Sequence, residues 1–597
     1  MPRITVLPVD KTVDVERGTV LRDALQSIHV HLDYPCGGKG SCRQCRVKVD
    51  PPPAAGVEGL KDELREAGYR LACRLPVTED CAVTVPESRF SRQAWKNGLR
   101  GQDVDVKLPS LSVKRVHLPV VVPSLDDQRA DWERLSSALE ERGISAEVPG
   151  NGSFERTSLL LREADWNVEA VCEEKELVCL RPRAGERLLG FAVDLGTTTV
   201  DLALMDLESG KRIARSAFLN GQVSFGADVI SRAQSFHDER GPVREAALRT
   251  IGEGALEMLR EAGLEPRSVV KTVVVGNPIM IHILNGIDPY QLTHVPYVPV
   301  TAGSVRSTPR DFGWAFQRDG YVETLPLISA YVGADTIGMI VALELEKEKA
   351  TTLSIDIGTN GEIVLAREGK MLATSTAAGP AFEGAQISCG MRALEGAITD
   401  VEITSEGRVS VQVVGGGAAR GICGTGLVAC VAELLNRGVV DATGRIVDSS
   451  ELEEPAVRER IFTLGSEPAF ALTEDQAVYL SQADIRKLQL AKGAVRTGIE
   501  TLLEKSGLGA DSLDALRLAG NFGAGLDAAA AMRIGLIPPM NLDKVQVVGN
   551  AALRGAVMVL LSRERWRSAQ SASRNARFVE LGGTAEFQNR FMESMMF

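Results

Sequence analysis

The sequence predicts a multidomain α/β protein with three folded parts: a β-rich N-terminal domain, a small α+β domain, and a large α/β unit of two similar lobes. Three observations carry this expectation. Four of the ten cysteines fall between positions 36 and 73. From residue 189 onward, strand and helix patterns alternate to the end of the chain. Within that stretch a strand–turn–strand motif occurs twice, at an offset of 162.

A length of 597 residues suggests about four domains, or three if one is large. Lys+Arg 67 against Asp+Glu 79 leaves a net charge of −12, which speaks against a nucleic-acid or anionic-membrane binder. The sequence has no apolar run of the roughly 18 residues needed to span a membrane. The opening Met1-Pro2-Arg3-Ile4 runs straight into a strand pattern and lacks the apolar stretch of a signal peptide. With so few cysteines for the length, a disulfide scaffold is not expected. A cytoplasmic location is the expectation. The 58 glycines exceed the usual share of about 7% and point to many tight backbone turns.

Residues 1–90 form the first expected domain, with 13 basic and 13 acidic side chains in balance. Residues 4–9 and 11–15 alternate like two paired strands, 20–26 read as a short helix, and 47–49 and 83–85 as short strands. Residues 91–117 read as a linker. A middle α+β domain is expected over 118–188. There Ser124 and Asp127 form a variant capping box, expected to open a helix whose Trp132, Leu135 and Leu139 share a face before Gly143. Residues 166–171 and 177–180 read as two strands. The two-lobed unit covers 189–597.

Cys36, Cys42, Cys45 and Cys73 are spaced C-x5-C-x2-C-x27-C. Three lie in one glycine-rich loop and the fourth far along the chain. This resembles the plant-type 2Fe–2S spacing, C-x4-C-x2-C…C, with one extra residue in the first gap. Glycines suit a loop that must wrap closely and aim N–H groups at sulfides. A zinc site also takes four cysteines, but usually as two C-x2-4-C pairs, and only Cys42/Cys45 makes one. Unrelated buried thiols are the remaining alternative, and Cys81 competes with Cys73 for the fourth place. Cys172, Cys179, Cys389, Cys423 and Cys430 have no metal spacing and are expected in the core. His29 and His31 are read as surface or core residues rather than ligands.

The repeated motif is Phe191-Ala192-Val193-Asp194-Leu195-Gly196-Thr197-Thr198 and Leu353-Ser354-Ile355-Asp356-Ile357-Gly358-Thr359-Asn360. Each copy is an apolar strand, an Asp-x-Gly-Thr turn and a second apolar strand. Such a turn offers N–H groups and hydroxyls to phosphate oxygens, while Asp194 or Asp356 can hold Mg²⁺ or an activated water. A single copy is a weak signal. Two copies in equivalent places, joined by further glycine turns, are a strong one. Those turns are Gly421-Ile422-Cys423-Gly424-Thr425-Gly426, which opens a helix over 427–435, and Gly520-Asn521-Phe522-Gly523. Glycines ahead of a helix N-terminus make a ready anion site; tight packing turns are the plain alternative. A second echo pairs residues 273–277 with 516–523.

With these motifs in view, the paired Asp-x-Gly-Thr loops resemble the two phosphate motifs of the actin-like ATPase and sugar-kinase superfamily. Leu518-Ala519-Gly520-Asn521-Phe522-Gly523 resembles its adenosine motif. The combination of parts, together with residues 220–232, 375–384 and 483–492, resembles the reductive activators of corrinoid-dependent enzymes along the whole chain. The absence of cysteines after Cys430 sides with the bacterial 2Fe–2S type. The resemblance implies an N-terminal β-grasp ferredoxin-like domain and an actin-like ATPase whose lobes close on nucleotide. It implies a 2Fe–2S cluster, ATP and Mg²⁺ as cofactors. It also implies ATP-dependent transfer of a low-potential electron to a Co(II) corrinoid protein of a methyltransferase system, restoring Co(I). An upstream low-potential electron donor and a homodimer follow from the same likeness. An ATP-gated donor to a different low-potential enzyme and a non-catalytic nucleotide-binding redox sensor are the competing functions.

Overall fold

The computed structural model describes the chain except at residues 8–10, 29, 31, 33–37, 39, 41–42, 44, 58, 61, 86–105, 107, 146–150, 183–185, 227, 385, 405 and 583–584. The N-terminal strands β1 (Arg3–Leu7), β2 (Lys11–Asp14), β3 (Arg46–Asp50), β4 (Tyr69–Leu71) and β5 (Cys81–Thr84) form one sheet of order β2-β1-β5-β3-β4. β1 and β5 run parallel at its centre. Period-two alternation turns Ile4, Val6, Val47, Val49 and Val83 to one face, where helix Leu21–Ser27 adds Leu21, Ala24 and Leu25 to a closed core.

A second, antiparallel sheet of β6 (Val113–Pro119), β7 (Asn167–Glu173) and β8 (Glu176–Pro182) carries helices Asp131–Glu141 and Asn151–Glu163. Its first strand begins inside the stretch read as linker. Leu135 and Leu139 are buried with Leu118, Trp166 and Val168, while Trp132 packs at the edge. The expected capping box does not open the helix. Ser124 and Asp127 instead bond each other in a turn, and the helix starts at Asp131 from Ala130 without a side-chain cap. The carboxylate of Asp127 goes to Arg129 and the buried Arg134, each at 2.8 Å, and that pairing takes the group away from a capping role. Helix Asn151–Glu163 was not anticipated: it opens on the turn-prone Asn151-Gly152-Ser153, and Leu159-Leu160-Leu161 run together rather than at helical spacing.

The large unit holds two six-stranded sheets. In the first lobe β9 (Leu189–Leu195), β10 (Thr199–Asp206), β11 (Arg212–Leu219), β12 (Val269–Gly276), β13 (Val305–Ser307) and β14 (Tyr321–Thr324) take the order β11-β10-β9-β12-β14-β13. In the second, β15 (Thr352–Ile357), β16 (Gly361–Arg367) and β17 (Lys370–Thr376) repeat the meander. Two small sheets follow: β18 (Ala397–Ile403), β19 (Val409–Val413) and β20 (Gly421–Ile422), then β21 (Ile461–Leu464), β22 (Glu467–Ala471) and β23 (Tyr479–Ser481). β24 (Ala515–Ala519), β25 (Val545–Gly549) and β26 (Ala576–Phe578) complete the second large sheet as β25-β24-β15-β16-β17-β26.

The sequence repeat is thus a structural one. β12 lies parallel to β9 as β24 lies parallel to β15, so the strands of the second echo flank the two Asp-bearing strands. Helices Ala334–Leu343 and Ala551–Leu561 pack against each other and against the first-lobe sheet. A Cβ on Gly555 would overlap the backbone of Gly338, and one on Gly338 would lie 2.6 Å from the carbonyl oxygen of Ala552. Among the described residues no helix is long and apolar enough to cross a membrane.

Candidate functional site

Two places gather the chemistry. In the N-terminal domain Cys45 and Cys73 are buried, and their sulfurs lie 3.3 Å apart without a covalent bond. Cys45 immediately precedes β3, and Cys73 sits in the 3₁₀ turn Ala72–Arg74 that follows β4. β3 pairs with β4 at Arg46↔Leu71, and that register brings the two cysteines together from positions 28 apart in sequence. Cys36 and Cys42 lie outside the described residues, as do His29 and His31. Gly38 and Gly40 of the loop both have φ of +81°, and a Cβ on Gly38 would stand 3.8 Å from the Cβ of Cys73. Gly38 therefore lies against this pair. Two converging buried thiols beneath a left-handed glycine loop fit an iron–sulfur cluster. Cys81 is half-buried on β5, and Cys172 lies in the core of the middle domain.

The second place is the cleft between the lobes, a cavity of about 340 Å³ lined from both sides. The first lobe contributes Asp194, Gly196, Thr197 and Thr198 from the β9–β10 turn. The second contributes Asp356, Gly358, Thr359 and Asn360 from the β15–β16 turn, with Gly424 and Gly520 behind. In each hairpin the turn glycine N–H closes onto the last turn residue: Gly196 donates to the Thr199 carbonyl at 2.9 Å, and Gly358 to that of Asn360 at 2.8 Å. The second turn is one residue tighter, since Leu195 pairs with Val200 and Ile357 with Gly361.

Glycine is required at two positions of this wall. A Cβ on Gly424 would strike the carbonyl oxygen of Phe382, and one on Gly520, at φ +81°, would strike a carboxylate oxygen of Asp356. Gly426 and Gly523, expected to bind nucleotide, are absent from the lining. Gly426 lets helix Gly424–Asn436 press on the Ile398 carbonyl, and Gly523 packs on Leu518. The side chain of Asn521 lies outside the described atoms. Cys423, read as a core residue, is buried but lines the cavity as N-cap of that helix; its thiol is 3.1 Å from the Ile398 carbonyl oxygen.

Several lining residues were not anticipated. Asp335 and Glu362 join Asp194 and Asp356 in an acidic wall. Burial pushes Asp194 well above the usual carboxylate range, an effect opposed by Asn550, whose Nδ2 donates to Oδ2 at 2.9 Å. Asp335 is pushed up to about 6 by burial, and Asp356 to about 7 by burial and by the charge of Asp335. Glu362, paired directly across from Asp356, is raised well above its ordinary value by burial and then by Asp335 and Asp356. In the first lobe the equivalent partner of Asp194, Asp201, is neutralised by Arg215. Carboxylates facing one cavity resist ionisation unless a cation neutralises them, although among the described residues no three of them are arranged to hold a metal ion by themselves. Phe382 and Phe522, with ring centroids 4.9 Å apart, supply an apolar face.

Asn277 and Asn550 share one job. Each caps the helix after a strand, through Met280 N–H at 3.0 Å and Leu553 N–H at 2.8 Å. Each then turns its Nδ2 to the first turn, Asn277 to the Thr197 hydroxyl at 3.2 Å and Asn550 to Asp194. A signal for both lay in the sequence: Val-Val-Gly-Asn occurs at 274–277 and again at 547–550. Glu383 bridges the two phosphate turns, accepting from the Thr198 hydroxyl at 2.6 Å and the Thr359 hydroxyl at 2.5 Å.

Four family descriptions match the chain in succession. They are a 2Fe-2S iron-sulfur cluster binding domain over residues 4–78, the RACo linker region over 105–187, the RACo middle region over 189–348, and the C-terminal domain of RACo, the ASKHA domain, over 350–597. The chain is 29% identical to the corrinoid activation enzyme RamQ of Eubacterium limosum, covering 99% of this chain and 98% of that protein. It is 25% identical to the [Co(II) methylated amine-specific corrinoid protein] reductase of Methanosarcina barkeri, over 63% of this chain and 71% of that one. A solved structure described as a reductive activator for a corrinoid, iron-sulfur protein shares 31% identity at a TM-score of 0.72, covering 100% of this chain and 98% of that chain.

Proposed function

The chain belongs to the family of reductive activators of corrinoid proteins, and from that premise we propose that it returns a corrinoid protein from Co(II) to Co(I), using an electron carried on its N-terminal domain and ATP hydrolysis in the two-lobed cleft. The observation that carries this reading is the pairing on one chain of a buried cysteine pair under a glycine loop with a cleft where two Asp-x-Gly-Thr turns converge.

Cys36, Cys42, Cys45 and Cys73 would hold the 2Fe–2S cluster, which when bound supplies a one-electron carrier of the kind found near about −400 mV. The domain's own task is to shield that site from water with the core around Leu71, Ala72 and Leu75 and to leave the glycine loop as its cover. For one electron, each 59 mV or so of shortfall costs a factor of ten in equilibrium constant, and the nucleotide cleft answers that shortfall. Asp194 and Asp356 would hold Mg²⁺–ATP from opposite walls, the turn N–H groups and threonine hydroxyls would orient the phosphates, and Phe382 and Phe522 would face the base. A corrinoid partner that binds one arrangement of the lobes better than the other is itself shifted by turnover, because a ligand moves an equilibrium only by its differential affinity. Domain limits near 90, 113 and 189 rest on the sequence pattern and on the strand at Val113–Pro119, a cytoplasmic location rests on the sequence alone, and an upstream low-potential donor and a homodimeric state rest on family likeness; all belong to the same proposal.

The test is anaerobic visible absorbance of a purified Co(II) corrinoid protein mixed with the full chain, reductant and ATP. ATP-dependent appearance of Co(I) is expected. Equal Co(I) with and without ATP would overturn the energetic role of the cleft.

A further inference from the structure

Glu383 stands where a phosphate would act. It closes the 3₁₀ turn Pro380–Glu383, fixed on both sides: Gly379 N–H donates to the Thr359 carbonyl at 2.9 Å, and Gly384, at φ +75°, leaves no room for a Cβ against the Met391 backbone. This arm belongs to the second lobe. Its carboxylate nevertheless takes one hydroxyl from each lobe, Thr198 and Thr359, one on each oxygen. Two oxygens of one anion accepting from the two phosphate turns is also the arrangement that a terminal phosphoryl group requires of the same hydroxyls.

We propose that Glu383 is a carboxylate latch that competes with the terminal phosphate of a nucleoside triphosphate for Thr198 and Thr359, so that loading the cleft displaces the carboxylate and puts the phosphate in its place between the lobes. The proposal rests on the ATPase reading above and adds a gate to it. Charge-assisted hydrogen bonds to a carboxylate are among the stronger ones in proteins, and a carboxylate beside an incoming phosphate repels it. Both effects make the triphosphate displace Glu383 rather than share the site.

The displaced carboxylate has a cation within its field. Arg232, on helix Val229–Asp238, is fully buried; its Nε donates to the Gly226 carbonyl at 2.8 Å, and Nη1 lies 3.6 Å from the Met280 sulfur. Its Nη2 has no hydrogen-bond partner among the described residues. Burial pushes the guanidinium down to about 9, and the charges of Glu383 and Asp228 oppose that loss. An orphaned buried donor is costly to keep, and the negative charge of Glu383 already favours the Arg232 cation.

The experiment is equilibrium calorimetry on the full-length holoprotein with Mg²⁺, using a non-hydrolysable ATP analogue and, separately, adenosine. Glu383→Ala is expected to bind the triphosphate analogue at least about tenfold more tightly than wild type, with adenosine affinity unchanged. Glu383→Gln keeps the shape and removes the charge, and is expected to tighten the triphosphate several-fold; it also serves if the alanine variant fails to fold. Triphosphate affinity equal to or weaker than wild type in the variant, with adenosine still bound, would overturn the latch while leaving the ATPase reading standing. A wild-type protein that binds neither probe would remove the ATPase reading, and the latch with it.

Discussion

Asp356 carries the plainest consequence of the site's electrostatics. An unfolded aspartate titrates near about 3.9, whereas Asp356 is lifted to about 7 and Asp335 to about 6. Between roughly pH 4 and 7 the folded chain therefore holds protons that the unfolded chain has lost, and stability falls as pH rises through that window. The penalty is absent below about pH 4 and complete above about 7. Mg²⁺ needs the ionised carboxylates, so Mg²⁺–nucleotide affinity should weaken as pH drops from 8 to 6. Asp356→Asn should raise the thermal midpoint at pH 8 without divalent cations by the equivalent of about 1–2 kcal/mol, the half-buried position tempering the full shift. The same variant should lose most ATP turnover. A midpoint insensitive both to pH and to the substitution would contradict the acidic wall. For the cysteines, Cys73→Ser should abolish or perturb the visible absorbance of the anaerobically purified protein. Cys172→Ser, in the core of a different domain, should leave it intact. Zinc in place of iron and labile sulfide would contradict the ligand assignment.

At the scale of elements, what the sequence made legible follows from periodicity. Four of the five described first-domain strands, the helix at Leu21–Ser27 and both Asp-x-Gly-Thr hairpins appear within a residue or two of where alternation and turn residues put them, while Tyr69–Leu71, only three residues long, gave no alternation to read. The capping box misled because Ser124-x-x-Asp127 satisfies a local rule that two nearby arginines then override. Asp335 and Glu383 were illegible for a different reason. Each reaches the cleft by long-range packing, Asp335 from the first turn of helix Ala334–Leu343 and Glu383 from a 3₁₀ turn, and neither sits in a repeated pattern. Gly426 shows the reverse failure: a glycine ahead of a helix reads the same whether it faces a phosphate or a strand carbonyl. Helices Ala334–Leu343 and Ala551–Leu561 carried no motif in the sequence, yet their approach at Gly338 and Gly555 lets backbone touch backbone. Gly555→Ala must push these helices apart. Overpacking of this kind costs about 1–3 kcal/mol, so the thermal midpoint should drop by several degrees. ATP turnover should drop further than the midpoint alone explains, because one helix carries Asp335 and the other is capped by Asn550, both of which line the cleft. Unchanged stability and turnover would show that the approach tolerates a methyl group.

The whole molecule joins an electron carrier to a nucleotide cleft, and its central claim is that neither suffices alone. A low-potential carrier without the cleft would leave Co(I) at the small fraction set by the potential gap. A cleft without the carrier would turn over nucleotide and reduce nothing. The most direct measurement is the anaerobic yield of Co(I) on a Co(II) corrinoid protein, read by visible absorbance. It compares the full chain with ATP, the full chain without ATP, and the full chain carrying Asp194→Ala with ATP, each with its cluster absorbance verified. The account predicts substantial Co(I) in the first sample only, with the other two held near the yield of reductant alone. Equal Co(I) in all three would contradict it.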